Sequence, residues 1–127
     1  MQRKASIAVL FAVFAGLAIA QAPAIKRTIL QRADVADTGR EVVLGMAEIA
    51  AGGSTGRHTH FGVETGYVIE GTSVIEIEGE PPRTLKAGDS YMIPAGKVHD
   101  AKAHGSGVKV LATYVVEKGK PLATPAP

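Results

Sequence analysis

Glycine and proline recur throughout this chain and divide it into short segments. There are 15 glycines and 7 prolines among 127 residues. Both residue types favour turns, and the segments between them are rich in apolar and β-branched residues, which favours short strands over helices. A chain of this length has room for one domain. The sequence therefore predicts a single all-β domain.

The predicted strands are short and closely spaced. Nine or so strands at this spacing imply a sandwich or a barrel, and a closed double-sheet barrel also removes exposed sheet edges. Gly71 and the turn Gly105-Ser106-Gly107 are each expected to separate two strands. The expected strands are Lys26–Ala33, Arg40–Ala50, Arg57–Phe61, Glu64–Glu70, Ser73–Glu78, Arg83–Leu85, Tyr91–Ile93, Val98–Ala103 and Val108–Lys118.

The first 20 residues have the three parts of a secretory signal peptide. Arg3 and Lys4 give a positive start, Ile7–Ala20 is an unbroken apolar run, and Ala18-Ile19-Ala20 is a small-x-small cleavage pattern. The run is shorter than the roughly 18 apolar residues of a membrane span, so a signal peptide is favoured over an uncleaved N-terminal anchor. The predicted organisation is a signal peptide (1–20), a lead-in and first strand (21–39), a β-barrel (40–118) and a flexible Pro/Ala tail (119–127).

Signal cleavage would change the charge of the chain. The full sequence has 14 Lys and Arg residues and 12 Asp and Glu residues. Cleavage after Ala20 removes Arg3 and Lys4 and no acidic residue, which leaves 12 of each sign and a formal net charge of zero. A neutral chain gives no electrostatic reason to expect a nucleic-acid partner. No stable membrane span is expected after cleavage.

Four residues have the types and spacing of a metal site. On a strand, side chains two residues apart lie on the same face, so His58 and His60 would present two imidazoles to one point. A bend at Gly62 would bring the carboxylate of Glu64 to the same point, and His99 opens its own strand after a Pro-Ala-Gly turn. Three imidazoles and a carboxylate suit one divalent ion such as Fe, Mn, Ni, Cu or Zn, and the chain has no cysteine to offer instead. Taken alone, a His-x-His pair is more often two surface histidines than a metal site.

The sequence around these residues resembles the cupin superfamily. Gly52, five residues, His58-x-His60, three residues, Glu64, six residues and Gly71 fill every specified position of the first cupin motif. Gly88, five residues, Pro94-x-Gly96, two residues and His99 resemble the second motif, and 16 residues separate the two. The second motif often continues to an asparagine, where this chain has Ala103. That departure removes a polar group but no metal ligand.

The resemblance implies both a fold and a ligand set. The fold is a conical jelly-roll β-barrel with the ion inside its wide end, and the implied ligands are His58, His60, Glu64 and His99. It also implies a small-molecule ligand or substrate, and it suggests a homodimer. Together with the signal peptide, it suggests a bacterial periplasmic or secreted protein.

Other residues are weaker candidates for the site. Tyr91 or Ile93 could line the pocket, although packing in the core is favoured for both. Tyr67 is expected in a wall or an interface, and His104 in a solvated loop. Arg57 and Thr59 should point away from the ligands, and the acidic residues Glu70, Glu76, Glu78 and Glu80 should form a solvated face.

Three classes of function remain open from the sequence. A metal-dependent enzyme on a small oxygenated molecule is the first hypothesis, with dioxygenase-like chemistry ahead of an isomerase or lyase. In that hypothesis Glu64 could leave the metal and act as a general base. The alternatives are a non-catalytic small-ligand-binding cupin and a metal-stabilised structural or storage barrel, because one scaffold hosts many functions.

Overall fold

β-Strands account for the regular secondary structure of residues 24–127, which are the residues that the computed structural model describes. The predicted signal peptide lies outside them. Within the described range there is no helix long and apolar enough to cross a membrane. The strands are β1 (Ile25–Val35), β2 (Arg40–Ile49), β3 (His58–Thr59), β4 (Gly62–Ile77), β5 (Arg83–Lys86), β6 (Ser90–Ile93), β7 (His99–Glu117) and β8 (Thr124–Pro125).

The strands form one antiparallel sheet that curls into a jelly-roll barrel, as predicted. The order β1-β2-β7-β3-β8 forms one path through the sheet, and β4 pairs with β5, β6 and β7. The two longest strands, β4 and β7, pair with each other from Gly62 opposite Val116 to Ile77 opposite His99. Because β7 also pairs with β2 and β3, it joins the two parts of the sheet.

Two predicted strand breaks are wrong, because β4 and β7 run through them. Gly71 pairs with Val108 and the next residue, Thr72, pairs with His104, so residues 105–107 bulge out of β7 without ending it. Glycine allows this local bend because it tolerates positive φ, here 84° at Gly71 and 98° at Gly107. The chain can therefore turn sharply while pairing continues on both sides.

The C-terminal segment also differs from its prediction as a flexible tail. Thr124 and Pro125 form β8, which pairs with Thr59 and His58 of β3. The backbone N–H of Ala126 donates to the carbonyl of Arg57 over 2.9 Å. Proline and alanine composition indicated disorder, but this segment pairs with the short strand that carries the first predicted ligand.

The barrel interior contains two groups of buried apolar side chains. The alternation of buried and exposed positions along β2, β4 and β7 directs these side chains inward. The first group includes Ile93, as predicted, at 1% exposure. It consists of Ile49, Val68, Ile75, Ile77, Leu85, Ile93, Ala103, Val108 and Val110, and the second of Val43, Ala112, Tyr114 and Val116 with Leu122 packed against it.

Candidate metal centre

The barrel brings the four predicted ligands together at one buried point. His58 on β3 is the register partner of His99 on β7, and His60 follows two residues after His58. Glu64 lies on the inward face of β4. All four side chains are buried, and their candidate ligand atoms lie within 4.8 Å of one another. We refer to His58, His60, Glu64 and His99 as the four-residue cluster.

Gly62 explains how Glu64 reaches the cluster. A Cβ at Gly62 would lie 1.8 Å from the carbonyl oxygen of Val115 on β7. Only glycine therefore allows β4 to begin this close to β7. Because side chains alternate along a strand, the register set at Gly62 turns Glu64 into the barrel.

The cluster is arranged around one carboxylate oxygen. Oε2 of Glu64 lies 2.7 Å from Nε2 of His60 and 3.2 Å from Nε2 of His99. The ring centre of His58 lies 4.2 Å from that of His99 and 4.9 Å from that of His60. Three imidazoles and one carboxylate thus face a common centre.

A backbone carbonyl fixes the orientation of each histidine. Nδ1 of His58 is 2.7 Å from the carbonyl oxygen of Gly56, and Nδ1 of His99 is 2.9 Å from that of Lys97. Nδ1 of His60 contacts the carbonyl oxygen of Leu122. A carbonyl only accepts hydrogen bonds, so each Nδ1 must carry the proton. In the neutral rings this leaves a lone pair on Nε2, which is the atom that faces the cluster.

The charge states of the cluster follow from burial and from these contacts. Burial is the main cause that lowers the pKa of His58 to about 4, assisted by the neighbouring His99 and His60. Burial by itself would raise the pKa of Glu64, but contacts from His60 and His99 outweigh it and hold that pKa well below the usual range. At neutral pH the centre therefore combines a neutral His58 ring with an ionised carboxylate.

Tyr91 holds the other oxygen of this carboxylate. Its hydroxyl donates to Oε1 of Glu64 over 2.7 Å. Tyr91 lies on β6 opposite Gly66 of β4, and a Cβ at Gly66 would come within 2.2 Å of the tyrosine ring. Glycine therefore makes room for the ring to cross β4 and reach the carboxylate. Burial, followed by the charge of Glu64, raises the pKa of Tyr91, so its hydroxyl keeps its proton.

The sequence favoured core packing for Tyr91, and that prediction was incomplete. The ring does pack against the first apolar group, but the hydroxyl also contacts a candidate ligand. Gly66 was the available signal, because it lies on the same strand face as Glu64 and a glycine within a strand marks a close approach. Its partner could not be named without the register of β4 and β6.

Asp100, next to His99, anchors the loop that supports His58. Its carboxylate accepts hydrogen bonds from Ser54 at 2.7 and 2.9 Å and from Thr55 at 2.9 Å. This loop leads directly to Gly56, whose carbonyl orients His58. Asp100 is thus a positioning residue that sequence reasoning missed.

The weaker candidates lie away from the centre. Tyr67 is 51% exposed on the outer face of β4, and His104 and Arg57 are also exposed. Lys102 pairs with Glu76 at 2.9 Å on the outer surface. Glu70, Glu78 and Glu80 are exposed, as a solvated acidic face requires.

A small cavity adjoins the cluster. Its volume is about 30 Å³, enough for two or three waters on a scale of roughly 10–15 Å³ for each. Its wall is mainly apolar, with a few polar side chains that converge on the space. The polar residues of the lining outside the cluster are Arg27, Thr55, Ser73, Tyr91 and Tyr114.

The donor atoms fit a divalent ion. Nε2 of His60 is buried and has no hydrogen-bond partner within residues 24–127, although it lies 2.7 Å from Oε2 of Glu64. The lone pair of Nε2 in a neutral His60 ring is therefore available to a cation, next to Oε2 of Glu64, which is also 3.2 Å from Nε2 of His99. Nitrogen and oxygen donors of this kind suit Fe, Mn, Ni, Cu or Zn, and four of them leave one or two positions open on a five- or six-coordinate ion.

The fold and the cluster define a jelly-roll β-barrel with a candidate metal centre inside it. Residues 45–119 match the sequence family described as the Cupin domain. This match covers more than half of the chain, and the chain belongs to the cupin family. No curated protein is similar enough in sequence to be matched to it.

Solved structures share this fold. KdgF from Halomonas sp. is 28% identical over 74% of this chain and 82% of its own, with a TM-score of 0.59. An oxalate oxidase in complex with glycolate is 22% identical over 83% of this chain and 56% of its own, with a TM-score of 0.66. The DMSP lyase DddQ from Ruegeria pomeroyi is 21% identical over 67% of this chain, with a TM-score of 0.63. The chain spans 43% of the length of that lyase.

Proposed function

We propose that the four-residue cluster binds one divalent transition-metal ion and that the protein is an enzyme acting on a small oxygenated molecule. The observation that best supports this proposal is that backbone carbonyls accept hydrogen bonds from all three Nδ1 atoms. The three Nε2 atoms therefore face the carboxylate of Glu64. A bound ion would supply Lewis acidity and open coordination positions.

The cavity favours an enzyme or a binding protein over a structural metal site. A structural site is closed by its ligands and by apolar side chains. Here the hydroxyls of Tyr91 and Tyr114 and the guanidinium of Arg27 line a space beside the cluster. Convergent polar groups in a mainly apolar pocket are typical of small-molecule sites.

Dioxygenase-like chemistry is the first assignment within this class. It needs open metal positions and a small, mainly apolar space beside them, and the cavity next to the cluster would supply that space. The chain would contribute by orienting the ligands and by excluding bulk water. Tyr91 would keep Glu64 ionised and in place by donating a hydrogen bond to Oε1.

A metal-dependent lyase or isomerase is the second candidate, and one observation favours it. Two phenol hydroxyls, those of Tyr91 and Tyr114, line the cavity, and a phenol can donate a proton to a reacting oxygen. Glu64 could act as the base in such a reaction if its carboxylate left the metal. A non-catalytic protein that binds the same small ligand is the remaining alternative.

Metal analysis tests the site. The protein purified after full-length expression should contain about one equivalent of metal, and His58→Ala and His99→Ala should lose most of it. His104→Ala is the matched control, because this histidine is exposed and lies outside the cluster. Unchanged metal content in both cluster variants would refute the site.

Turnover assays test the reaction class. Oxygen uptake should be screened with small phenols, diketones and hydroxy acids on protein loaded with each candidate metal. Uptake that the cluster variants lack would support a dioxygenase-like enzyme, whereas product formation without oxygen would support the lyase or isomerase. A compound that binds and is recovered unchanged would indicate a binding protein.

Export and dimerisation belong to the same proposal. We place the mature protein in the periplasm or outside the cell on the sequence of residues 1–20. N-terminal sequencing of the protein from the extracytoplasmic fraction should begin at Gln21. The mass in solution by light scattering should correspond to two chains.

A further inference from the structure

Arg27 is a cation of β1 that faces the candidate metal cavity. β1 is exposed along most of its length, and Arg27 is among its exposed residues, but Ile25 and Arg27 at its beginning both line the cavity. This agrees with the period of two along a strand, and Ile25 also packs against the first apolar group. Lys26, between them, pairs with Glu48 at 3.8 Å. Arg27 therefore lies at the cavity, whereas the adjacent cation, Lys26, forms an exposed ion pair.

The charge of Arg27 acts on the cavity. Burial is the largest influence on the pKa values of His58, Tyr91 and Tyr114, and the Arg27 charge lowers all three. Arg27 and Tyr114 both line this cavity. Among residues 24–127, Arg27 has no carboxylate partner. The cations that do are Lys26, Arg32, Lys86, Lys102, Lys109 and Lys118.

The charges that line the cavity do not balance once a metal is bound. The lining contains one carboxylate, Glu64, and one guanidinium, Arg27. A divalent ion beside the buried Glu64 would leave one excess positive charge in the cluster, and the exposed guanidinium of Arg27 would add a second at the edge of the cavity. Removing such charge from water is costly unless an opposite charge compensates it. An anionic ligand would provide that compensation.

We infer that the substrate carries a carboxylate, which Arg27 binds while a neighbouring oxygen of the same molecule faces the four-residue cluster. This inference rests on the proposed function and names its substrate class. The planar guanidinium offers two parallel N–H donors that match a carboxylate. A cavity of about 30 Å³ limits the part of the molecule beside the cluster to a few atoms. Small 2-hydroxy and 2-oxo acids have this arrangement of oxygens.

Binding of glycolate and of its neutral amide, glycolamide, tests the inference. Both are measured by calorimetry on protein loaded with Zn²⁺, which has no redox chemistry of its own. Glycolate should bind to the wild type at least about tenfold more tightly than glycolamide, as the loss of a charge-assisted hydrogen bond implies. Arg27→Gln should weaken glycolate binding by about the same factor and leave glycolamide unchanged.

Two further variants separate the effect of the paired N–H donors of Arg27 from the effect of its positive charge. Arg27→Lys keeps the charge and loses the paired donors, so its affinity for glycolate should be intermediate. Lys26→Gln removes the adjacent cation from the same strand and should bind glycolate like the wild type. Zn²⁺ content should be the same in all of these proteins, because Arg27 and Lys26 lie outside the cluster.

The outcomes that overturn the inference differ from those that overturn the proposed function. Equal glycolate affinity in the wild type and Arg27→Gln would overturn the inference, as would no preference for glycolate over glycolamide or no binding of glycolate. A wild type that takes up no Zn²⁺ would instead overturn the proposed function. The same glycolate comparison on the metal-free protein would then decide the role of Arg27.

Discussion

Ending the chain at Lys120 should damage both the stability and the metal site of this protein. The deletion removes Leu122, whose carbonyl accepts the Nδ1 proton of His60, and β8, which pairs with β3. It also removes the Leu122 side chain from the second apolar group. The segment predicted as a flexible tail is therefore expected to support a candidate ligand.

The size of the effect follows from these contacts. A buried donor left without a partner costs about 1–3 kcal/mol, and water that enters after the deletion would place the cost near the lower limit. Loss of the partly buried Leu122 side chain adds about 1 kcal/mol, roughly half the value for full burial. The free energy of unfolding should fall by about 2–3 kcal/mol on these two terms. Loss of an outer partner of a ligating histidine should weaken metal binding by about 10–100-fold.

Two control variants separate the carbonyl from the side chain. Leu122→Ala keeps the backbone carbonyl, so it should lose about 1 kcal/mol of stability and retain its metal affinity. Deletion of residues 126–127 keeps Leu122 and both residues of β8 and should also retain metal affinity. Urea unfolding of the metal-free proteins and metal competition with a chelator provide the two measurements. The reasoning would be refuted if the chain ending at Lys120 bound metal like the wild type, or if Leu122→Ala lost as much affinity as the deletion.

Three other perturbations test the surroundings of the cluster. Tyr91→Phe removes the hydrogen bond to Glu64 and should weaken metal binding about tenfold with little change in fold, and an unchanged chelator competition curve would argue against that role. Gly66→Ala places a Cβ within 2.2 Å of the Tyr91 ring and should cost about 1–3 kcal/mol in urea unfolding, whereas a loss below about 0.5 kcal/mol would show that the ring moves freely. Because the pKa of His58 is lowered to about 4 in the folded state, the unfolded state binds more protons between pH 6.5 and 4. The metal-free protein should therefore lose up to about 3 kcal/mol as the pH falls through this range, and His58→Gln should show a smaller slope; equal slopes would contradict the assignment.

The four-residue cluster could be predicted from the sequence because three of its members lie close together in the chain. His58, His60 and Glu64 lie within seven residues, so strand periodicity and one glycine bend suffice to place them on one face. His99 required the resemblance to the second cupin motif. The structure then made it the direct register partner of His58.

The supporting contacts could not be predicted in the same way. Tyr91 is 27 residues from Glu64, and Leu122 is 62 residues from His60. Such pairs depend on the register between distant strands, which a single sequence does not specify. A backbone carbonyl also leaves no trace in residue identity, so the acceptor for His60 had no motif to reveal it.

Strand ends were predicted less well than strand positions, for a physical reason. Gly71 and Gly107 were expected to end strands, because glycine usually marks turns. In β4 and β7 they permit a bulge, and the hydrogen-bonded ladder resumes on the far side. Whether a glycine ends a strand or bends it depends on the partner strand.

Main-chain carbonyls accept hydrogen bonds from the three histidines. Substitutions should therefore affect this centre differently from insertions and deletions. Point substitutions at Lys97 or Leu122 alter side chains but leave each carbonyl in place, whereas Gly56 has a φ of 70° that other residues rarely adopt. Insertions or deletions in the same segments would shift a carbonyl away from its imidazole. Homologous barrels could therefore diverge in sequence at Lys97 and Leu122 while conserving loop length, and a search for related proteins should give more weight to spacing than to residue identity at these two positions.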